Sequence, residues 1–280
     1  MQALLDDNAS AKTAPAFGAL SGVTRDNLYW FGPRGFIFTS PWVVTPSTVR
    51  HSAVLLLTAS GDPVEVSAGD HVVKRDMVAI APQTRRGLAA RNVGLVSVHV
   101  FPPHPFFSAF QRLPARGVLA LDRTRLSSFD GAIARVYEGR LSLPEAQALF
   151  EDVVGAAVAQ LPQSGQREPR VHRLHELLQE NPACSLAELA KELRLSYSGT
   201  SRHFARAVGL PLRSYRLWLK YYTAADTHMK GSSWTEAAHA AGFTDSSHLV
   251  RTWQASYGFS PSYTGDEKRV RIFTRSRDVR

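Results

Sequence analysis

Short β-branched and aromatic runs fill the first hundred positions, and the hydrophobic period then changes from two to that of a helix. From Asn27 to Phe101 the runs are NLYWF, GFIFT, HSAVLLLTA, PVEVSA, DMVAIAP and VGLVSVHVF, broken by Gly, Pro and Asp. Runs of this length and spacing predict a small β-sandwich or barrel. In VGLVSVHVF, Val93, Leu95, Ser97, His99 and Phe101 share one face while Gly94, Val96, Val98 and Val100 share the other, so both faces are expected to be buried. Further on, SSFDGAIARVYEG and PEAQALFEDVVGAAVAQL have helical spacing, with a stripe in the second at Ala148, Leu149, Val153, Ala156, Ala157 and Gln160. These two helices are expected either to cover the core or to form a homodimer interface.

From Val171 to Thr264 the pattern is helical and contains a degenerate duplication. SLAELAKELRLSYSGTSRHFARAVG (Ser185 to Gly209) is followed by SWTEAAHAAGFTDSSHLVRTWQASYG (Ser233 to Gly258). Each copy opens on Ser-x-x-Glu, Ser185 with Glu188 and Ser233 with Glu236, which predicts a capping box at two helix starts. A short turn follows, centred on Arg194-Leu195-Ser196 and on Gly242-Phe243-Thr244, and the next helix carries an arginine two residues before an aromatic: Arg202 with Phe204, Arg251 with Trp253. Gly209 and Gly258 then stand where helix C-caps are expected. Helix, tight turn and amphipathic helix make a helix-turn-helix, and there are two. Between them, Pro211 to Gly231 has no internal breaker, and a helix of about 19 residues there is roughly 28 Å long. That is close to the ~34 Å turn of B-DNA, so a stiff connector can hold two recognition helices in successive major grooves.

Composition narrows the class. A length of 280 residues suits two ordinary domains, and 44% hydrophobic with 20% charged residues excludes a mainly disordered chain. The net charge of +9 is uneven: Arg167 to Arg280 holds 18 basic against 11 acidic residues, leaving only +2 for residues 1–166. The excess favours a polyanionic partner for the C-terminal part. PQSGQREPR (Pro162 to Arg170) reads as a linker. The predicted organisation is therefore a strand-rich domain over residues 1–161, a linker at 162–170, a basic helix-turn-helix domain over 171–265 and a basic tail at 266–280 able to reach phosphates. The single Cys184, the acidic N-terminus and the lack of a long uncharged apolar window predict a cytoplasmic protein with no membrane segment.

The segment GFTDSSHLVRTWQASYGFSP resembles the signature of the AraC/XylS transcriptional regulators, through Gly242, Phe243, Ser247, Leu249, Arg251, Trp253, Gly258 and Pro261. The first copy is similar at Leu186, Leu189, Ala190, Ser196, Arg202, Phe204, Gly209 and Tyr215. It departs from the family at Gly199 and Thr200, which predicts a less firmly packed first recognition helix, and Thr264-Gly265 replace the usual terminal Tyr-Arg. The resemblance implies that residues 1–161 are a cupin-like barrel, an effector or dimerisation domain, ahead of an all-α DNA-binding domain, an α+β two-domain fold. It also implies double-stranded DNA as partner, with activation through RNA polymerase.

Candidate base-reading residues are Ser198, Ser201 and Arg202 in the first module and Ser246, Ser247 and Arg251 in the second. A guanidinium can grip guanine O6 and N7 together. Tyr197, His203, Arg206, Thr244, His248 and Lys220 are assigned to phosphates or the rim. In the N-terminal half a barrel can enclose a small-molecule effector, with Trp30, Trp42, Arg50, His51 and His99 as candidate liners. The alternative is a cupin-type metalloenzyme with an accessory helical domain. It lacks the expected His-x-His pair, since Ala53 follows His51 and His71, His99 and His104 stand alone. No G-x-S-x-G, P-loop or G-x-G-x-x-G occurs either, so the chain is read as having no catalytic residues, cofactor or metal.

Overall fold

The computed structural model describes residues 27–114, 116–162, 169–266 and 270–274. Residues 163–168, most of the expected linker, and 1–26 at the start of the first expected domain lie outside the described residues. Eight strands form the first part: β1 (Asn27–Gly32), β2 (Gly35–Val49), β3 (Ala53–Thr58), β4 (Val64–Ala68), β5 (His71–Arg75), β6 (Met77–Ile80), β7 (Arg85–Val100) and β8 (Val118–Ala120). With β9 (Val270–Phe273) they make one sheet in the order β8-β6-β3-β7-β2-β1-β9, while β4 pairs with β7 and β5 with β4. Among the described residues the path is open at β8 and β9, so the expected barrel is an unclosed sheet.

Strands β2 and β7 are far longer than GFIFT and VGLVSVHVF suggested, because Pro41 and Pro46 look like strand ends. Both prolines fall where the β2–β7 register shifts, between Ser40 and Trp42 and between Thr45 and Thr48. A bulge leaves a backbone N–H out of the ladder, so proline costs no pairing there and the strand bends through it. On β7 the matching irregularity carries Asn92 and Gly94 at positive φ.

One face of the sheet is covered by α1 (Asp130–Tyr137) and α2 (Leu143–Val158). α2 starts on a capping box, Ser142 with Glu145, and buries Leu143, Ala146, Leu149, Phe150, Val153, Val154 and Ala157. The buried stripe is thus rotated from the expected one, and Ala148 is exposed. Gly35 is what lets α2 come this close: a Cβ there would lie 2.4 Å from the Phe150 ring and 2.3 Å from the His99 carbonyl oxygen.

The second part contains α3 (Pro169–Glu180), α4 (Leu186–Leu193), α5 (Tyr197–Val208), α6 (Leu212–Met229), α7 (Trp234–Ala240), α8 (Ser246–Tyr257) and α9 (Pro261–Thr264). Capping boxes begin α4 at Ser185 and α7 at Ser233, and left-handed Gly209 and Gly258 end α5 and α8. The second turn is longer by one residue than the first repeat demands, since α7 starts 48 positions after α4 but α8 starts 49 after α5.

The chain beyond α9 returns to the sheet. Val270–Phe273, expected within a free basic tail, pairs in parallel with β1, matching Asn27 with Val270 and Trp30 with Phe273. Trp30 stacks on Phe273 at 4.7 Å, and Asn27 Nδ2 donates to the Tyr263 hydroxyl at 2.6 Å. Counting charges hid the alternation of Val270 and Ile272 among arginines. Val270 is 3% exposed, and burying one such side chain stabilises by about 1.5–3 kcal/mol. Deleting residues 270–280 is therefore expected to lower the thermal unfolding midpoint by several degrees. An unchanged midpoint in scanning calorimetry would show that β9 contributes nothing to stability.

Candidate nucleic-acid interface and buried cavity

Each recognition helix is capped by a side chain at its start. Ser196 Oγ accepts from the Gly199 amide at 3.1 Å in α5, and Asp245 Oδ1 accepts from the His248 amide at 2.7 Å in α8. The inner faces bury Thr200, Phe204 and Ala207 in one and Leu249 and Trp253 in the other. Helical geometry then turns Arg202 and Arg251 outward, and both are exposed, as are Ser198 and Ser247; Ser201 and Ser246 are half-buried. Arg170, Arg202 and Arg206 surround a shallow hollow over Leu195 and Gly199 on the first module. The Gly199-Thr200 departure is accommodated: Thr200 is fully buried and its hydroxyl donates to the Ser196 carbonyl at 2.9 Å.

Two residues assigned to the rim are held against the protein. His203 is 7% exposed and lines the same hollow beside Arg202 and Arg206. Lys220 reaches from α6 to the Gly242 carbonyl and lies over the Phe243 ring, so it braces the turn of the second module.

α6 is the common wall of both modules. Tyr215 meets Phe204 edge-on at 5.2 Å and donates to the Pro182 carbonyl at 3.0 Å. Six residues later Tyr221 packs against Trp253 at 5.6 Å and donates to the Thr252 carbonyl at 2.9 Å. Trp218 and Tyr222 turn towards the sheet and meet Phe101 at 5.4 and 5.7 Å.

Between α6, α8 and the sheet lies a cavity of about 60 Å³. Leu95, Ser97 and His99 on one face of β7, with Phe101 just beyond its end, form the floor, and Trp218, Tyr222 and Tyr257 roof it. Arg50 and Arg86 also line it, with Arg50 set over the Tyr257 ring at 5.5 Å. His99 stacks on Phe36 at 4.1 Å, its ring nitrogens 3.1 Å from Ser52 Oγ and 3.0 Å from Ser97 Oγ. Burial, reinforced by the two arginines, holds its imidazole well below the usual histidine range, so it is neutral.

A helix-turn-helix domain family matches residues 189–266, and a winged helix-turn-helix DNA-binding family matches residues 168–208. The chain carries a DNA-binding domain of the AraC type. No curated protein matches the sequence. Among solved structures, ToxT from Vibrio cholerae O395 is similar over 81% of this chain and 94% of its own, at 11% identity and a TM-score of 0.48. The AraC-like transcriptional activator CuxR is similar over 68% and 77%, at 15% identity and a TM-score of 0.34. The assignment to the AraC type rests on the family match and the duplicated capped modules, and the domain is that of a transcription regulator.

Of the expected effector liners, the structure brings Arg50 and His99 to the cavity beneath the AraC-type domain. Trp30, between the cavity-lining Tyr29 and Phe31, points to the opposite face of β1, with its indole N–H on the Leu141 carbonyl, and Trp42 is half-buried outside the cavity. His51 meets the edge of Tyr221 at 5.8 Å without lining the space. Arg86 was missed because RRGLAAR looks like a basic loop, although Arg86, Leu88 and Ala90 alternate inward. Among the described residues no group of three or more His, Cys, Asp or Glu is placed to hold a metal, and no helix is long and apolar enough to cross a membrane.

Burial pushes the His51 imidazole from 6.5 down to about 4. The unfolded chain therefore takes up this proton at a higher pH than the folded one. Stability is lost as pH falls through that window, by up to about 1.4 kcal/mol per pH unit for one group, and His99 adds in the same direction. His51→Gln is expected to flatten the dependence of the urea midpoint on pH between 6.5 and 4. An unaltered slope would mean that His51 binds its proton equally in both states.

Proposed function

We propose that this chain is an effector-responsive transcription regulator that reads two successive major grooves through α5 and α8. Arg202 and Arg251 supply the base contacts, and Ser198, Ser201, Ser246 and Ser247 supply shorter polar ones. The observation that carries the reading is the matched pair of exposed arginines, one on each side-chain-capped helix and each two residues before a buried aromatic. The connecting α6 has 18 residues, about 27 Å of helix, close to the ~34 Å repeat of one groove.

The same reading divides the chain as residues 1–161, a linker at 162–170 and the DNA-binding part at 171–265. It places the protein in the cytoplasm, without catalytic activity. Effector binding in the cavity shifts the population of DNA-competent arrangements, because the cavity is walled by both the sheet and α8. Recruitment of RNA polymerase and pairing into a homodimer belong to this proposal through the family resemblance. The metalloenzyme alternative predicts stoichiometric iron, manganese or zinc in the purified protein.

Binding selection from a random duplex library tests the assignment. Arg202→Ala and Arg251→Ala are each expected to weaken the selected site by about 1–3 kcal/mol and to relax preference at one base pair, at different positions for the two variants. Identical selected profiles for the wild type and both variants would remove the arginines from base reading.

A further inference from the structure

We propose that the cavity beneath α6 binds a compact hydrophobic monocarboxylate, with its charged end held between Arg50 and Arg86 and its body against the aromatic wall. This deepens the effector-responsive reading and rests on it.

The charge argument comes first. Arg86 is 2% exposed, and its Nη1 has no hydrogen-bond partner among the described residues. Arg50 is half-buried as a residue, but its Nε is fully inside and equally unpartnered. Among the described residues, neither an aspartate nor a glutamate lines the cavity. The other ionisable groups that line it are His99, held neutral, and the phenols Tyr29, Tyr221, Tyr222 and Tyr257, which burial keeps protonated. Arginine does not escape by losing its proton in proteins. Two like charges are thus enclosed together, each pulled down by burial and Arg86 further by Arg50. The Tyr257 ring offers Arg50 partial compensation through its π-face. Arg86 has no equivalent. A buried charge of this kind is costly unless paired, and a carboxylate can accept from both guanidinium forks.

The rest of the lining sets the body of the ligand. Phe36, Phe101, Trp218 and Tyr222 present apolar faces, so a bare inorganic anion leaves them unfilled. A cavity of about 150 Å³ holds one benzene ring, so 60 Å³ takes a short-chain acid such as acetate or propionate, and neither a ring nor a long acyl chain.

Full-length protein without DNA provides the test, by thermal shift and tryptophan fluorescence titration. The probes are acetate, propionate, propionamide, sodium chloride at matched ionic strength, benzoate and oleate. Acetate or propionate is expected to raise the unfolding midpoint by several degrees and to change the fluorescence saturably, whereas propionamide and chloride do neither. Arg86→Met, apolar and of similar reach, is expected to lose at least tenfold in carboxylate affinity while unfolding no lower than the wild type without ligand, because an unpaired buried charge has been removed. Arg86→Lys is expected to recover part of the binding. Equal effects of propionate and propionamide, a response to chloride alone, binding of benzoate or oleate but of neither small acid, or full carboxylate affinity in Arg86→Met would each overturn the proposal. Binding of propionamide alone would keep the effector reading and remove only the carboxylate. No binding by any probe would remove the carboxylate proposal and leave DNA reading by Arg202 and Arg251 to its own test.

Discussion

α6 must satisfy three surfaces at once, and the rest of the structure follows from that requirement. Its aromatic residues are spaced so that Tyr215 closes the first module, Tyr221 closes the second, and Trp218 with Tyr222 meets the sheet. An α-helix turns about 100° per residue, so Tyr215, Trp218 and Tyr222 form one stripe of touching rings, while Tyr221, six residues after Tyr215, points away from it towards the second module. One rigid rod therefore carries both DNA-reading units and their seat on the sheet. The hydroxyls of Tyr215 and Tyr221 end on backbone carbonyls, which gives each buried phenol a partner and fixes the depth of each module.

The cavity is a by-product of that seating. Large rings from α6 and α8 meet the β7 face without interdigitating completely, and the gap falls where Arg50 and Arg86 enter from the ends of long, bent strands. The bulges at Pro41 and Pro46 carry β2 far enough round to bring Arg50 under Tyr257. Contact between the two parts is reinforced at the far edge by β9, which extends the sheet with residues from beyond the last helix. A change in the cavity therefore acts on the wall of the second module directly.

Local signals were legible where one short segment contains its own explanation. Ser-x-x-Glu places both partners of a capping box within four residues, and glycine at a helix end needs only its own φ, so the boundaries of both modules could be read from the letters. The exposure of Arg202 and Arg251 follows likewise, because the buried Phe204 and Trp253 define the opposite face. The strand ends at the prolines, the rotated stripe of α2 and the pairing of Val270–Phe273 were not legible, since each depends on a partner far away in the chain.

From sequence alone came the duplicated helix-turn-helix, its caps, its connector and the outward arginines, because helical periodicity and capping are interactions between near neighbours. Only the tertiary structure decided that the sheet stays open, that the basic end of the chain becomes a strand, and that Arg50, Arg86 and His99 converge while Trp30, Trp42 and His51 do not. Side chains 13 to 49 positions apart meet across bent strands in a register that no local pattern specifies.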